Sequence, residues 1–225
     1  MPYDALNSSS RQLDVHHDSY CISDEPLKEH HLQEVAEIWP GYPFRGKLPL
    51  SEKGEAFVVQ FRHIVVGDSL RDETGAELDR AHLTGRKKPN FLRSGDVLFM
   101  AKGTRNFATT VVAVPKTTVC TPNFYHVRIR SRVPLLEPEF LAWQLNHWDA
   151  QRYFSACSQG SVAPSVTKSQ LGHLPIVIPP LEQQRRIANL ARAAFQEEQL
   201  LSQLVENRRR MVAAAGHQIL HSTND

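Results

Sequence analysis

At 225 residues and 41% hydrophobic content, the chain is long enough to bury one real core with an appendage, and it holds no 18-residue apolar run that would cross a membrane. Its opening MPYDALNSSSRQ lacks the charged and apolar regions of a secretory leader, and Cys21, Cys120 and Cys157 are too few and too scattered for a disulfide framework or a zinc knuckle, so a reducing cytoplasm is expected. The net charge of +2 conceals an asymmetry: from Arg86 to Pro134 ten Lys and Arg stand against a single acid, Asp96. Such a local excess is the footprint of a phosphate-binding face, with a solvated basic surface as the alternative.

In chain order, residues 1–30 are polar and Ser-rich and predict a mobile tail. Adjacent histidines at His16-His17 and His30-His31 point apart on an extended chain and have no Cys or acidic ligand at a useful spacing, so no metal is expected. From His31, HLQEVAEIWP predicts a short helical turn ending at Pro40-Gly41, followed by an aromatic loop. In that loop Tyr42, Phe44, Arg45 and Lys47 offer stacking and phosphate contacts, with Tyr42 and Arg45 as base-reading candidates, or form a packed aromatic corner. Ala56 to Ile64 is β-branched and aromatic and predicts a strand, with Arg62 and His63 aimed outward at its end as phosphate candidates. Glu73 to Asp79 predicts an acidic, solvated excursion. Arg86-Lys87-Lys88 beside a proline suits phosphate gripping, which fixes position without reading sequence.

LRSGDVLF follows, and a strand runs from Thr109 to Val114. Between them, Lys102-Gly103-Thr104-Arg105-Asn106 combines a turn-forming glycine, charge, and the paired donors and acceptors that read purine edges in a major groove. An exposed hairpin turn is the plain alternative. Asn123 to Arg130 alternates apolar and polar, a half-buried strand carrying His126, Arg128 and Arg130 on one face. Pro138 to Phe154 predicts one amphipathic helix, with Phe140, Leu141, Trp143 (or Gln144), Leu145 and Trp148 as core.

The loop Ser158 to Lys168, with Ser161 and Lys168 as further phosphate candidates, leads to a one-turn helix at Thr167 to Leu171 and a strand at Ile176 to Ile178. Pro179-Pro180 punctuates, and a helix follows over 181–221, about 60 Å long and too long to serve one small globule. Residues 222–225 form a short tail. Ile187, Leu190, Ala194, Leu201, Leu204, Met211 and Ala215 follow a heptad seam, widened by Val205, Val212 and Ile219 and interrupted by Glu197, Arg208 and Gln218. An antiparallel pair of such helices centred near Ser202 sets Glu197 of one against Arg208 of the other.

Three of these strings occur together in one known family. The segment LQEVAEI with its following Gly-aromatic-Pro-Phe, the LRSGDVLF strand entry with its Lys-Gly-Thr loop, and PSVTKSQL…LPIVIPPLEQQRRI before a long helix resemble the specificity subunit of Type I restriction–modification systems, over about Leu32 to Leu220. The resemblance implies an α+β fold: a mixed-sheet target recognition domain over 31–180, then one long amphipathic, coiled-coil spacer helix. It implies a non-catalytic reader of double-stranded DNA that seats an adenine-N6 methyltransferase using S-adenosylmethionine, with Mg/ATP confined to a restriction or translocase subunit and no cofactor in this chain. A typical subunit carries two recognition domains and two spacers, whereas this chain has room for one of each. A homodimer through the C-terminal helix restores the second half-site.

No glycine-rich phosphate loop, methyltransferase motif or helicase string occurs, and Asp96 is not followed by the second carboxylate and lysine of a common nuclease site. Two other readings stand beside the reader of DNA: a small metal-dependent nuclease, and a helical interaction protein without a DNA role.

Overall fold

The computed structural model of the chain describes residues 29–103, 105–131, 135–157 and 165–221. The tails expected before Glu29 and after His221 lie outside these residues, as do Thr104 and Ser161.

The order of elements is β1 (Glu29–His31), α1 (Leu32–Val35), β2 (Ala36–Pro40), β3 (Ala56–Val59), β4 (Leu70–Arg71), β5 (Asp79–Ala81), β6 (Val97–Met100), β7 (Phe107–Ala113), β8 (Thr118–Cys120), β9 (Phe124–Ile129), α2 (Pro138–Asn146), α3 (Trp148–Cys157), α4 (Lys168–Gly172), β10 (Pro175–Val177) and α5 (Leu181–His221). Five strands form a mixed sheet in the order β2-β9-β6-β7-β4, in which β4 runs parallel to β7 and the other pairs are antiparallel. A second sheet, β5-β3-β8, is also mixed, and β1 pairs with β10. The fold is therefore the expected α+β domain with mixed sheets, followed by one long C-terminal helix.

β6 explains why its sequence is a continuous apolar run. Val97 and Phe99 face a core built with α1, α2, α3 and α4, while Leu98 and Met100 face a second core with Phe107, Cys120 and Phe124. A strand covered on both faces has no polar alternation to show. Asp96, at the head of the same strand and 1% exposed, is the buried exception. Arg128 donates to it twice, Nε to Oδ1 at 2.7 Å and Nη2 to Oδ2 at 2.8 Å, His126 Nε2 lies 2.7 Å from Oδ2, and the Arg93 amide donates to Oδ2 at 2.7 Å. Burial pushes the Asp96 carboxyl up, but the hydrogen bonds from Arg128 and His126 outweigh it and hold the group below the ordinary carboxylate range.

Several expected boundaries move, each for a tertiary reason. The helical turn at His31 ends at Val35, and Ala36–Pro40 is a strand, because Ala36 and Ile38 turn inward in alternation and the backbone pairs with β9. The strand from Ala56 stops at Val59, and Phe61–His63 forms a 3₁₀ turn. Glu29 and His30, expected in the tail, pair with Val177 and Ile176. The helix expected over Pro138 to Phe154 is two helices broken at His147, and Trp148 is 57% exposed rather than core. The break follows from Asn146. Its amide accepts from Ala108 N at 2.7 Å and donates to Ala108 O at 2.8 Å, so the side chain completes the free edge of β7 and turns the helix end inward. Gln144 does the same for Val177 of β10.

Helix α5 touches the domain with its first four turns. Gln184 is fully buried, Ile187 packs on the main core, and Ala188, Ala191 and Phe195 line a groove against α2 and β7. Ile187, assigned to the outward seam, thus faces inward. Beyond Phe195 the large apolar side chains are exposed, among them Leu201, Leu204, Met211, Val212 and Ile219. No helix among the described residues is long and apolar enough to cross a membrane.

Arg128→Leu leaves the Asp96 charge buried without its main partner and is expected to cost about 3–5 kcal/mol in urea unfolding. Because the folded-state pKa of Asp96 lies below its unfolded value of about 3.9, its contribution is whole above that value and is lost as pH falls through the folded one. Asp96→Asn should therefore lower stability at neutral pH and flatten the acid limb of the stability–pH profile.

Candidate nucleic-acid interface

The register of the five-stranded sheet brings the separate basic loops to one end. Met100 at the end of β6 pairs with Phe107 at the start of β7 and with Phe124 at the start of β9, while Pro40 at the end of β2 pairs with Tyr125. The hairpin tip of Lys102 and Arg105 and the Tyr42–Lys47 loop thus leave the sheet together. The turn between β8 and β9 joins them: Asn123 O accepts from Ala101 N at 2.9 Å and from Lys102 N at 3.2 Å, Phe124 O accepts from Gly41 N, and Cys120 O accepts from Tyr42 N. Ser165 bridges Lys102, and Val166 N donates to Ala101 O, so the closing loop also returns to this end.

Tyr42 ties in the strongest run of charge. Its buried hydroxyl accepts from Gly85 N at 2.8 Å and donates to Gly85 O at 3.2 Å, and Thr84 Oγ1 accepts from Arg45 N at 3.1 Å. Gly85 is required by this closeness, since a Cβ there would lie 2.7 Å from Pro43 O and 2.8 Å from the Tyr42 hydroxyl. The staple sets Arg45 and Lys47 beside Arg86, Lys87 and Lys88, and all five are exposed. Lys102 and Arg105 are exposed as well. Arg130 and Lys168 border one shallow hollow with Gln33 and Ser169, and Arg130 reaches Glu37 at 3.5 Å.

Other expected contact residues are engaged inside the fold. Tyr42, expected to stack or read bases, is 6% exposed and acts as the staple. Asn106, expected to read a purine edge, donates its amide to Met100 O at 2.9 Å and closes the hairpin. Arg128 is held by Asp96 and by Phe91 O, and its guanidinium lies over the Trp39 ring at 5.6 Å. Arg62, itself exposed, pairs with Asp79, so the last acid of the stretch is a partner within the fold, while Glu73 and Glu77 stay solvated as expected. His63 lies 3.3 Å from the same carboxylate, and its burial pushes its pKa below the ordinary histidine value. It carries little charge for a phosphate near neutral pH. The pairing could not be read from sequence, because each partner stands many residues away with no shared period. Among the described residues, no group of three or more His, Cys, Asp or Glu side chains is placed to hold a metal ion.

A family model for the Type I restriction modification DNA specificity domain matches residues 32–204. The chain belongs to that family. Solved structures share its fold: the S subunit of a Type-I restriction-modification system from M. genitalium superposes with a TM-score of 0.55 at 14% identity, over 90% of this chain and 48% of that one. The HsdS subunit from Thermoanaerobacter tengcongensis gives a TM-score of 0.55 at 18% identity, over 82% of this chain and 42% of that one. A chain of a type I R-M system complex gives 0.51 at 18% identity, over 88% and 44%. This specificity-domain chain thus spans about half the length of the solved structures it matches. No curated protein matches it.

Tyr42→Phe should remove both hydrogen bonds to Gly85, cost about 1–2 kcal/mol, and speed amide exchange at Gly85 and through the Arg86–Lys88 loop. Exchange measured by NMR checks this, and a loop left as protected as before would show that the phenol is not its anchor.

Proposed function

We propose that this chain is a non-catalytic DNA target-recognition subunit of a Type I-like restriction–modification complex, with one recognition domain per chain. The observation that carries the reading is the specificity-domain match over residues 32–204, combined with the convergence of Lys102, Arg105, Arg45, Lys47 and Arg86–Lys88 at one end of the sheet. In this reading the Arg86–Lys88 and Arg45–Lys47 loops hold phosphates, because runs of exposed charge fix position without reading sequence. The hairpin tip, with Lys102 and Arg105, chooses bases, Arg105 through the two acceptors of a guanine edge.

The exposed seam of α5 supports assembly. Leu201, Leu204, Val205, Met211, Val212, Ala215 and Ile219 lie on the part of the rod that leaves the domain, with Leu190 and Ala194 at its root. An antiparallel pair of rods buries the seam, sets Glu197 against Arg208, and places two recognition domains at opposite ends for a two-part, palindromic target. The seat for an adenine-N6 methyltransferase is assigned to the same assembly. S-adenosylmethionine belongs to that partner, and Mg/ATP to a restriction or translocase subunit.

Duplex binding is the first test. Six phosphate contacts should cost roughly a thousandfold in affinity between 50 and 200 mM salt, and binding to a random duplex pool that is indifferent to salt would sink the reading. On a selected target, Lys87→Ala should weaken all sequences equally and lower the salt slope by about one, whereas Arg105→Ala should cost about 1–3 kcal/mol at one base pair. The rod has its own test in sedimentation: Arg208→Glu should break the dimer, and Glu197→Arg added to it should restore the dimer. A chain that stays single throughout would remove the assembly role.

A further inference from the structure

Helix α5 is not laid evenly along the domain; it is held at its first two turns, by Gln184 with Ile187 on the main core, and again at Phe195, with a hollow beside the stretch between them. The first point is Gln184. Its side chain accepts from Glu137 N at 2.8 Å and donates to Leu135 O at 2.8 Å and to Pro179 O at 2.7 Å, and no other residue of the helix is fully buried. Three bonds to three separate backbone groups leave the first turn no freedom to slide or rotate. Arg185 adds a surface pair to Glu137 at 2.8 Å.

The second point is Phe195, three turns further on. Its ring lies against Gly67, where an added Cβ would meet ring carbons at 2.5 and 2.6 Å. Gly67 has φ +98°, so the loop presents bare backbone in a conformation side chains disfavour, and the ring sits directly on it. The loop is itself fixed to the sheet, since the hydroxyl of Thr109 in β7 donates to Asp68 O at 2.6 Å. Beside this stretch lies a groove of about 430 Å³, lined by Ala108, Ala142, Ala188 and Ala191 together with larger side chains such as Trp143 and Arg192. The rod runs along this hollow as a beam on two supports.

We infer that the Gly67–Phe195 contact is a specificity-determining joint: it sets the direction of the rod, and so the separation between the DNA bound by this domain and whatever the far end carries. The lever is long. At 1.5 Å per residue, Gln184 to Phe195 spans about 16 Å and Gln184 to His221 about 55 Å, so a displacement at Phe195 is magnified about threefold at the tip. A shift of roughly 2 Å at the ring moves the tip by roughly 7 Å, about two base-pair steps of 3.4 Å. The consequence for DNA rests on the function proposed above; the mechanical part rests on the contacts alone. Phe195 is a positioning residue in this scheme and touches no base.

The joint is tested on the full chain by pulsed electron paramagnetic resonance between nitroxides at Glu73→Cys on the domain and Arg209→Cys on the rod. Cys21 and Cys157 are replaced by serine, and labelled chains are diluted in unlabelled ones so that a dimer gives no cross-distances. Phe195→Ala should let the rod settle toward the groove and broaden the distance distribution, while Phe195→Trp should lift it. The two mean distances should move in opposite senses by several ångströms. Gly67→Ala should act like Phe195→Trp, and Phe195→Leu added to it should return the distance toward the parent value. A parent distribution as broad as that of Phe195→Ala, or means unchanged in both Phe195 variants, would overturn the joint. Selection from duplexes with variable half-site spacing is the second arm, and a shifted optimum in the variants supports the link to DNA. A rod that swings in chains that bind none of those duplexes would instead overturn the DNA reading and leave the joint standing.

Discussion

A carboxylate placed at the head of a doubly covered strand has to be neutralised where it stands, and the way Asp96 is neutralised organises the domain. Its two oxygens collect Arg128, His126 and the Arg93 amide, which locks β6 to β9 and holds the approach from Phe91. Those two strands are the middle of the five-stranded sheet, and their shared end carries the turn from which the basic loops depart. An internal ion pair of this kind adds little net stability over a well-packed apolar pair, but breaking one side of it is costly. It therefore acts as a register pin for the strands beneath the basic loops.

The same logic divides the basic residues into two populations. Arg62 and Arg128 each have a carboxylate within the fold, and their charge is used there. Arg45, Lys47, Arg86, Lys87, Lys88, Lys102 and Arg105 stand exposed on loops that the Tyr42–Gly85 staple and the Asn123 turn gather to one end. Rigid strands below and charged loops above is the arrangement that lets a domain hold a phosphate backbone firmly and vary what it reads. Amide side chains do the quiet work of closure: Asn146 and Gln144 satisfy strand edges, Asn106 closes the hairpin, and Gln184 fixes the rod. Each spends side-chain hydrogen bonds on backbone that would otherwise be orphaned.

Much of this architecture was legible in the chain. The apolar run at Val97–Met100, the alternation before Arg130, the double proline before Leu181 and the three-four spacing of the last forty residues all correspond to elements close to where they were expected. The strings LRSGDVLF and LPIVIPPLEQQRRI carry the resemblance to the specificity-subunit family by themselves. The failures share one feature. Ala36–Pro40 looked helical beside α1 because its strand partner, β9, begins more than eighty residues later, and the helix at Pro138 looked continuous because nothing nearby reveals that Asn146 is needed by Ala108.

What the sequence determined by itself was therefore whatever depends on neighbours along the chain: helix periodicity, proline and glycine punctuation, the length of the rod and the uneven placement of positive charge. What tertiary structure decided was which polar side chains remain available. Tyr42 meets Gly85 across 43 positions, Arg128 meets Asp96 across 32, and Gln184 meets Glu137 across 47, and no local pattern encodes such pairs. Burial makes an unpaired polar group costly, so the folded chain assigns its inward-facing polar groups first to one another. The basic loops, and the large apolar side chains of the rod beyond Phe195, are what the fold leaves exposed.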